Sequence, residues 1–567
     1  MKKLTLLVAI LSLAFSLHAQ VAVYDSGGPL MPEQAAYDVD RYDLTLQVFP
    51  EKQSIEGKVK VTAKVVQPMH YLVLDLDPVL ELGVVSEIKD GKTIALPKER
   101  KGGKIWIDLK YTRQSGETIV VEVPYGGKPR VAPRPPWDGG FQWEKTSRGA
   151  HWIATSNQTN GADLWWPMKD HVSDEPNTMG LYITVPSDLV VATNGKMEKV
   201  DDSIEGLKTY HWEVRNPINA YNIALNIAPY VTLRSTLNSV AGEEVPVEFY
   251  VLPEDEEKGK KLLPEIVEHL EFYEKYLGPY PFRSDKYGVA QTPHLGMEHQ
   301  TIIAYGANFS NSSMTRGTDW GFDALHHHEL GHEWWGNLVT NYDWKDMWIH
   351  EGFCTYMQAL YMEELKGKEA YEKYFASMRR FGNQYPVAQK ETLSAKEIYK
   401  APIYAKGAWV LNVLRYLVGD EDFFIILRRM CYPTPEMEKA TDGSQTRFVT
   451  TEDFISLCEE VTGKELDWFF EVYIYQAELP ILHSEIKGNK LSLKWEVAND
   501  LPFPMPVEVE IDGKIKRVDV PFEGKRTVLL KKGQKPVVNP SNMLLFEMSK
   551  AAKSSNGFRN TSKANGN

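Results

Sequence analysis

His328-Glu329-Leu330-Gly331-His332, followed nineteen positions after His332 by Glu351 in Trp348-Ile349-His350-Glu351-Gly352-Phe353, is the stretch on which the reading of this chain turns. On a helix, residues four apart lie on one face, one turn apart. His328 and His332 can therefore aim two imidazoles at one divalent ion, and Glu329 between them can reach a water beside it and act as general base. Within the run His326-His327-His328 only His328 stands four residues before His332, which sets the register. A second helix after a turn can return Glu351 to the first. Two His and one Glu leave a fourth position open, as in catalytic rather than structural zinc sites. In isolation Glu351 is equally a residue favoured at a helix start by the dipole. Leu330, Trp334 and Leu338 form an apolar stripe, so a buried helix is expected over about 322–338.

Outward from this centre the hydrophobic period is helical. Leu263, Ile266, Val267, Leu270 and Tyr273 fall at helical spacing, and further helices are expected around 348–364, 404–418 and 421–430. Thr450 with Asp453 resembles a capping box before another helix, which Gly463 ends. Some strand content is expected near 287–305. Upstream, Tyr42-Asp43-Leu44-Thr45-Leu46-Gln47-Val48 alternates as a half-buried strand does, and Asp90-Gly91, Gly126-Gly127 and Asn194-Gly195 are turn signals. Pro133 to Gly140 must be a loop. After Leu479-Pro480 alternation returns, with Asp512-Gly513 as a hairpin turn. The expected fold class is multidomain α+β: a β-sandwich-like domain over 20–240, a mainly helical catalytic domain over 241–478, a small β domain over 479–547 and a disordered tail over 548–567.

The chain has 567 residues, 43% hydrophobic and 25% charged, enough for several cores. Its formal net charge of -13 repels phosphate backbones and excludes nucleic acid as an expected partner. Lys2 and Lys3 precede an apolar run from Leu4 to Leu17, and Ala19 suits the position before a cut; residues 1–19 read as a cleaved signal peptide. The mature protein is then expected to be exported, periplasmic or extracellular, with no integral membrane segment. Cys354, Cys431 and Cys458 are too few and too far apart for a disulfide framework. All three are expected to be buried and reduced, with a Cys431–Cys458 bond left open.

With these residues assembled, the chain resembles the aminopeptidase-N and leukotriene-hydrolase family of zinc metallopeptidases (peptidase family M-one). The metal motif with its glutamate, Trp335-Gly336-Asn337-Leu338-Val339-Thr340 and Tyr276-Leu277-Gly278-Pro279-Tyr280-Pro281 all carry the likeness, which extends from about Tyr37 to Leu479. The resemblance implies a thermolysin-like catalytic domain, Zn²⁺ as cofactor, and peptides with a free N-terminus as substrates. The family's G-A-M-E-N motif appears as Leu295-Gly296-Met297-Glu298-His299. Glu298 would bind the substrate ammonium, and the strand with Gly296 and Met297 would pair with the peptide backbone. Leu295 and His299 depart from the motif and put the first side-chain pocket in doubt. Tyr404 in Tyr404-Ala405-Lys406-Gly407 matches the family's catalytic tyrosine, and Gln158 a position near the substrate amine. The short β-like C-terminal part, where relatives often carry a large helical domain, predicts a more open cleft. An endopeptidase, a lipid-epoxide hydrolase and a non-enzymatic peptide binder stay open as alternatives. The oligomeric state is not legible.

Overall fold

The structure is a computed structural model, and it describes residues 25–549. The signal-peptide segment 1–19 and nearly all of the expected tail lie outside the described residues.

Alternation builds the N-terminal part. In the strand Tyr37–Phe49, Tyr42, Leu44, Leu46 and Val48 turn inward while Asp38, Asp40 and Thr45 face out or sit at the margin. It pairs antiparallel with Ser54–Val65 and parallel with Thr178–Pro186, at the centre of a nine-stranded sheet. A three-stranded sheet and a four-stranded sheet complete the layers. The four-stranded sheet carries the hairpin Gly140–Lys145 and His151–Ser156, and the buried loop after it holds Gln158. Side chains from Ala36 to Tyr230 fill one hydrophobic cluster, joined by a few from the neighbouring sheet.

The catalytic sheet has five strands in the order Val231–Asn238, Glu244–Val251, Tyr287–Gln291, Ile303–Tyr305 and Gly296–Met297. The domain division expected at 240 thus falls between two strands that pair with each other, and the catalytic sheet begins at Val231. Gly296–Met297 is its edge strand. The helices that matter for the site are, after the short α1 (Pro32–Ala35), α2 (Glu256–Leu277), α3 (Ala324–Gly331), α4 (Trp348–Lys366), α5 (Lys368–Ser377), α6 (Ala395–Ile398) and α7 (Ala405–Val418). On α2, Ile266, Leu270, Tyr273 and Leu277 form the buried stripe. The helix expected over 322–338 is shorter. Its N-cap Asp323 accepts from the His326 amide, and it ends at Gly331. Beyond it the amides of Asn337, Leu338 and Val339 each reach a carbonyl five residues back, a widened turn of the kind common at functional sites. Trp334 and Leu338 are buried in this turn rather than on the helix. From Trp348 to Met362 every residue of α4 is buried, as expected of a central helix.

The C-terminal part forms a four-stranded and a three-stranded sheet, with the Ile511↔Lys514 pair closing the Asp512-Gly513 turn. Glu547–Met548 pairs with Ile481–Lys487, so ordered sheet reaches one residue past the expected boundary at 547. Phe503 meets Trp468 and Tyr473 of the catalytic part edge-on, and Trp495 packs edge-on against Phe503. One hydrophobic cluster therefore runs from Leu233 through Phe546, joined by Val172 and Tyr221 of the N-terminal part. All three cysteines are buried and free, so no Cys431–Cys458 bond forms. Among the described residues no helix is long and apolar enough to cross a membrane.

Candidate metal centre and active site

His328 sits in the last turn of α3, and His332 caps its end with helical backbone angles, so both rings share one face despite the early helix stop. Glu351 enters from the first turn of α4, where the helix-start preference and the site role coincide. Its Oε2 lies 3.1 Å from His328 Nε2 and 3.5 Å from His332 Nε2. Tetrahedral ligands bonded to zinc at ~2.0–2.1 Å stand roughly 3.3 Å apart, so the three donors fit that ion. His332 Nδ1 lies 3.0 Å from the Trp335 carbonyl oxygen, which holds the proton there and leaves Nε2 as the metal donor. Burial works against the charge on Glu351, yet the hydrogen bonds from His328 and His332 hold its carboxyl well below the usual range.

Around this centre stand two more carboxylates. Glu298, Glu329 and His332 offer donor atoms within 4.8 Å of one another, as do His328, His332 and Glu351. Two imidazoles and one carboxylate are the donor set of a catalytic zinc site, whereas the first set offers one imidazole and two carboxylates, so the second is the better zinc site. Burial pushes the Glu298 carboxyl up to about 7 and raises Glu329 well above its ordinary value. Glu329 lies under the edge strand. A Cβ on Gly296 would stand 2.4 Å from Glu329 Oε1, so this position has to be glycine for the carboxylate to lie against the strand. Gln158 donates from Nε2 to Glu298 Oε1. The Glu298 backbone oxygen accepts from Asn337 Nδ2 at 3.0 Å, and Asn222 Nδ2 donates to Asn337 Oδ1 at 2.7 Å. The N-terminal part thus reaches Glu298 twice, at its carboxylate from Gln158 and at its backbone through Asn337.

Tyr404 precedes α7, and its hydroxyl donates to Glu351 Oε1 at 2.8 Å. That reach depends on a glycine pair. A Cβ on Gly352 of α4 would stand 3.0 Å from Gly407 Cα, so the two helix backbones touch with nothing between them. Burial and the Glu351 charge keep the Tyr404 phenol well above its ordinary value, and so protonated.

The structure brings together every site residue read from the sequence: His328, His332, Glu351, Glu329, Glu298, Gln158, Gly296, Met297 and Tyr404. It adds residues that were not read. Tyr399 donates to Glu351 Oε1 at 3.3 Å from the turn after α6, five positions before Tyr404; that spacing was the one available hint. Asn337 was quoted only for likeness, and Asn222 gave no sequence signal. His299, where the motif departs, is wholly buried, and neither ring nitrogen has a partner among the described residues.

Fold and centre together define the class: a zinc metallopeptidase site, with its His-His-Glu set split between α3 and α4 below an edge strand. The peptidase M1 N-terminal domain matches residues 38–222, and the peptidase family M1 domain matches residues 263–473. The chain belongs to peptidase family M1. Among curated proteins it is 27% identical over 329 residues to aminopeptidase M1-C of Oryza sativa subsp. japonica, covering 55% of this chain and 36% of that one. It is 25% identical over 327 residues to human endoplasmic reticulum aminopeptidase 1, covering 52% and 34%. The chain thus spans about a third of the length of these relatives. Its fold is like that of an M1 zinc metallopeptidase from Deinococcus radiodurans, with TM-score 0.64 and 24% identity over 81% of this chain and 98% of that one. It is also like that of Legionella pneumophila aminopeptidase A, with TM-score 0.71 and 18% identity over 91% and 60%.

Proposed function

We propose that the protein is an exported zinc aminopeptidase that hydrolyses N-terminal residues from peptides. The observation that carries this reading is Glu298: a buried carboxylate, held by Gln158, with donor atoms of Glu329 and His332 within 4.8 Å. A carboxylate there suits a free ammonium and leaves an internal segment of a longer chain with nothing to pair it.

His328, His332 and Glu351 would hold Zn²⁺, which when bound polarises a peptide carbonyl and acidifies water. Glu298, steadied by Gln158, grips the amino end and sets the reading distance to the first carbonyl. The edge strand Gly296–Met297 aligns the peptide backbone. Glu329 takes a proton from the attacking water and hands it to the departing amine. The Tyr404 hydroxyl donates to the oxygen that gains charge as the carbonyl becomes tetrahedral. Burial of the carboxylates and imidazoles strengthens each of their interactions.

The test is hydrolysis of a panel of aminoacyl fluorogenic substrates and their N-acetylated forms, with and without a chelator. Release from free-ended substrates only, lost with the chelator, is expected. Equal cleavage of acetylated peptides would replace this reading with an endopeptidase. The export part rests on Lys2, Lys3 and the apolar run to Leu17. Cell fractionation with N-terminal sequencing tests it, and an intact Met1 start in the cytosol would defeat it.

A further inference from the structure

The wall of the cleft continues beyond the catalytic glutamate. Glu298 marks where an amino end sits, and Glu329 lies against Gly296. A peptide held by its ammonium at Glu298 and cut beside Glu329 must run antiparallel along the edge strand, past Leu295 toward Pro293. The opposite wall follows the same course. At one end Gln158 meets Glu298. Further along, Gln142 Nε2 lies 2.7 Å from His294 Nδ1, and Trp152 Nε1 donates to the Gln291 carbonyl at 3.2 Å. Past these ties a cavity of about 510 Å³ opens, lined by Gln142, Glu144 and Trp152 on the hairpin and by Gln291, Pro293 and Tyr305 on the catalytic sheet.

Strand alternation puts Gln142 and Glu144 on one face, and Trp152 stands directly opposite Glu144 in the register. The cavity's other charge, Lys145, is engaged: its ammonium lies 3.1 and 3.0 Å from the two ring nitrogens of His151, and His151 Nε2 is 2.7 Å from Glu51. Glu144 is exposed and, among the described residues, makes no ion pair or side-chain hydrogen bond. Alternation turns Lys145 toward the strand face of His151, so the charge that shares a face with Gln142 and Trp152 is that of Glu144, beside an indole face and a proline.

We propose that this cavity is a downstream subsite for a lysine or arginine side chain at the third or fourth residue of the peptide substrate, with Glu144 as its counter-charge. The inference rests on the aminopeptidase reading above. The methylenes of a long cationic side chain would lie on Pro293 and Trp152. Its charge would meet the Glu144 carboxylate and the indole face. The net charge of -13 favours approach of cationic peptides as well.

The experiment is calorimetric titration of the zinc-loaded Glu329→Ala protein with free-ended and N-acetylated pentapeptides of alanine carrying Lys, Ala or Glu at position three or four. Lys peptides should bind roughly three- to fivefold more tightly than Glu peptides, the range an exposed ion pair supplies. Adding Glu144→Gln should bring that ratio close to one, and Glu144→Lys should reverse it. Equal binding of Lys and Glu peptides overturns the subsite, as does a preference for Glu or a ratio that survives Glu144→Gln. If acetylation leaves affinity unchanged, or free-ended peptides do not bind, the aminopeptidase reading itself fails. If acetylation weakens binding while charge makes no difference, only the subsite falls.

Discussion

The proposed mechanism gives two side chains of the centre separable jobs. Glu329 is not among the His328, His332 and Glu351 donors, so its loss should stop proton transfer and spare the metal. Glu329→Ala is expected to retain stoichiometric zinc by elemental analysis while turnover falls to background; near-normal peptidase rates would remove it from the mechanism. The role proposed for Tyr404 rests on one hydroxyl. Tyr404→Phe is expected to lower kcat by about 10²–10³-fold with little change in KM, as when one oxyanion donor is lost. A purely structural tyrosine would instead shift the melting temperature. At this scale the sequence was legible where chemistry follows from spacing. His328 and His332 declare a shared face by themselves, and Glu329 follows from them. Glu298, Gln158 and Tyr404 could be placed only through family likeness, because each is isolated in sequence and meets the centre only through tertiary packing. Tyr399, Asn337 and Asn222 escaped for the same reason.

Between elements, the site depends on how closely α4 and α7 approach. Gly352 and Gly407 face each other, and a Cβ on Gly407 would stand 3.0 Å from Gly352 Cα. The branched side chain of Gly407→Val cannot fit without parting the helices. It is expected to cost about 1–3 kcal/mol of stability, read from the denaturant midpoint, and to withdraw Tyr404 from Glu351 with a matching loss of kcat. If activity persists in full, the helix approach does not set the tyrosine's position. The sequence showed α2, α4 and α7 through their periodicity, and the short Asp512-Gly513 hairpin through its turn chemistry. It misjudged the end of α3. The apolar positions Trp334 and Leu338 continue the helical stripe, but the backbone there opens into turns bonded five residues back, which periodicity cannot register. It also split the catalytic sheet at 240, because Val231–Asn238 alternates like the strands before it and its partner lies across the boundary.

Across the whole molecule, the chain after Leu479 forms two small sheets packed on the catalytic part. Among the described residues no helical domain follows the catalytic part. The more open cleft proposed from the sequence would show as decapeptides turned over at least as efficiently as dipeptides in kcat/KM. A sharp preference for dipeptides would show that something else closes the site, such as a second copy of the chain. The division of the interior into two separate hydrophobic clusters bears on how the protein fails under heat. One cluster holds the N-terminal strands with Tyr250, Leu252, Ala290 and Ile302 from the catalytic part, and the other holds the catalytic and C-terminal parts with Val172 and Tyr221 from the N-terminal part. Bodies with separate interiors melt as separate cooperative units. Differential scanning calorimetry is therefore expected to give two peaks rather than one. Gln158 and Asn222 belong to the first body and the three metal donors to the second. A protein warmed between the peaks, if the N-terminal body melts first, would keep its three metal donors and Glu298 but lose the Gln158 amide bonded to that carboxylate.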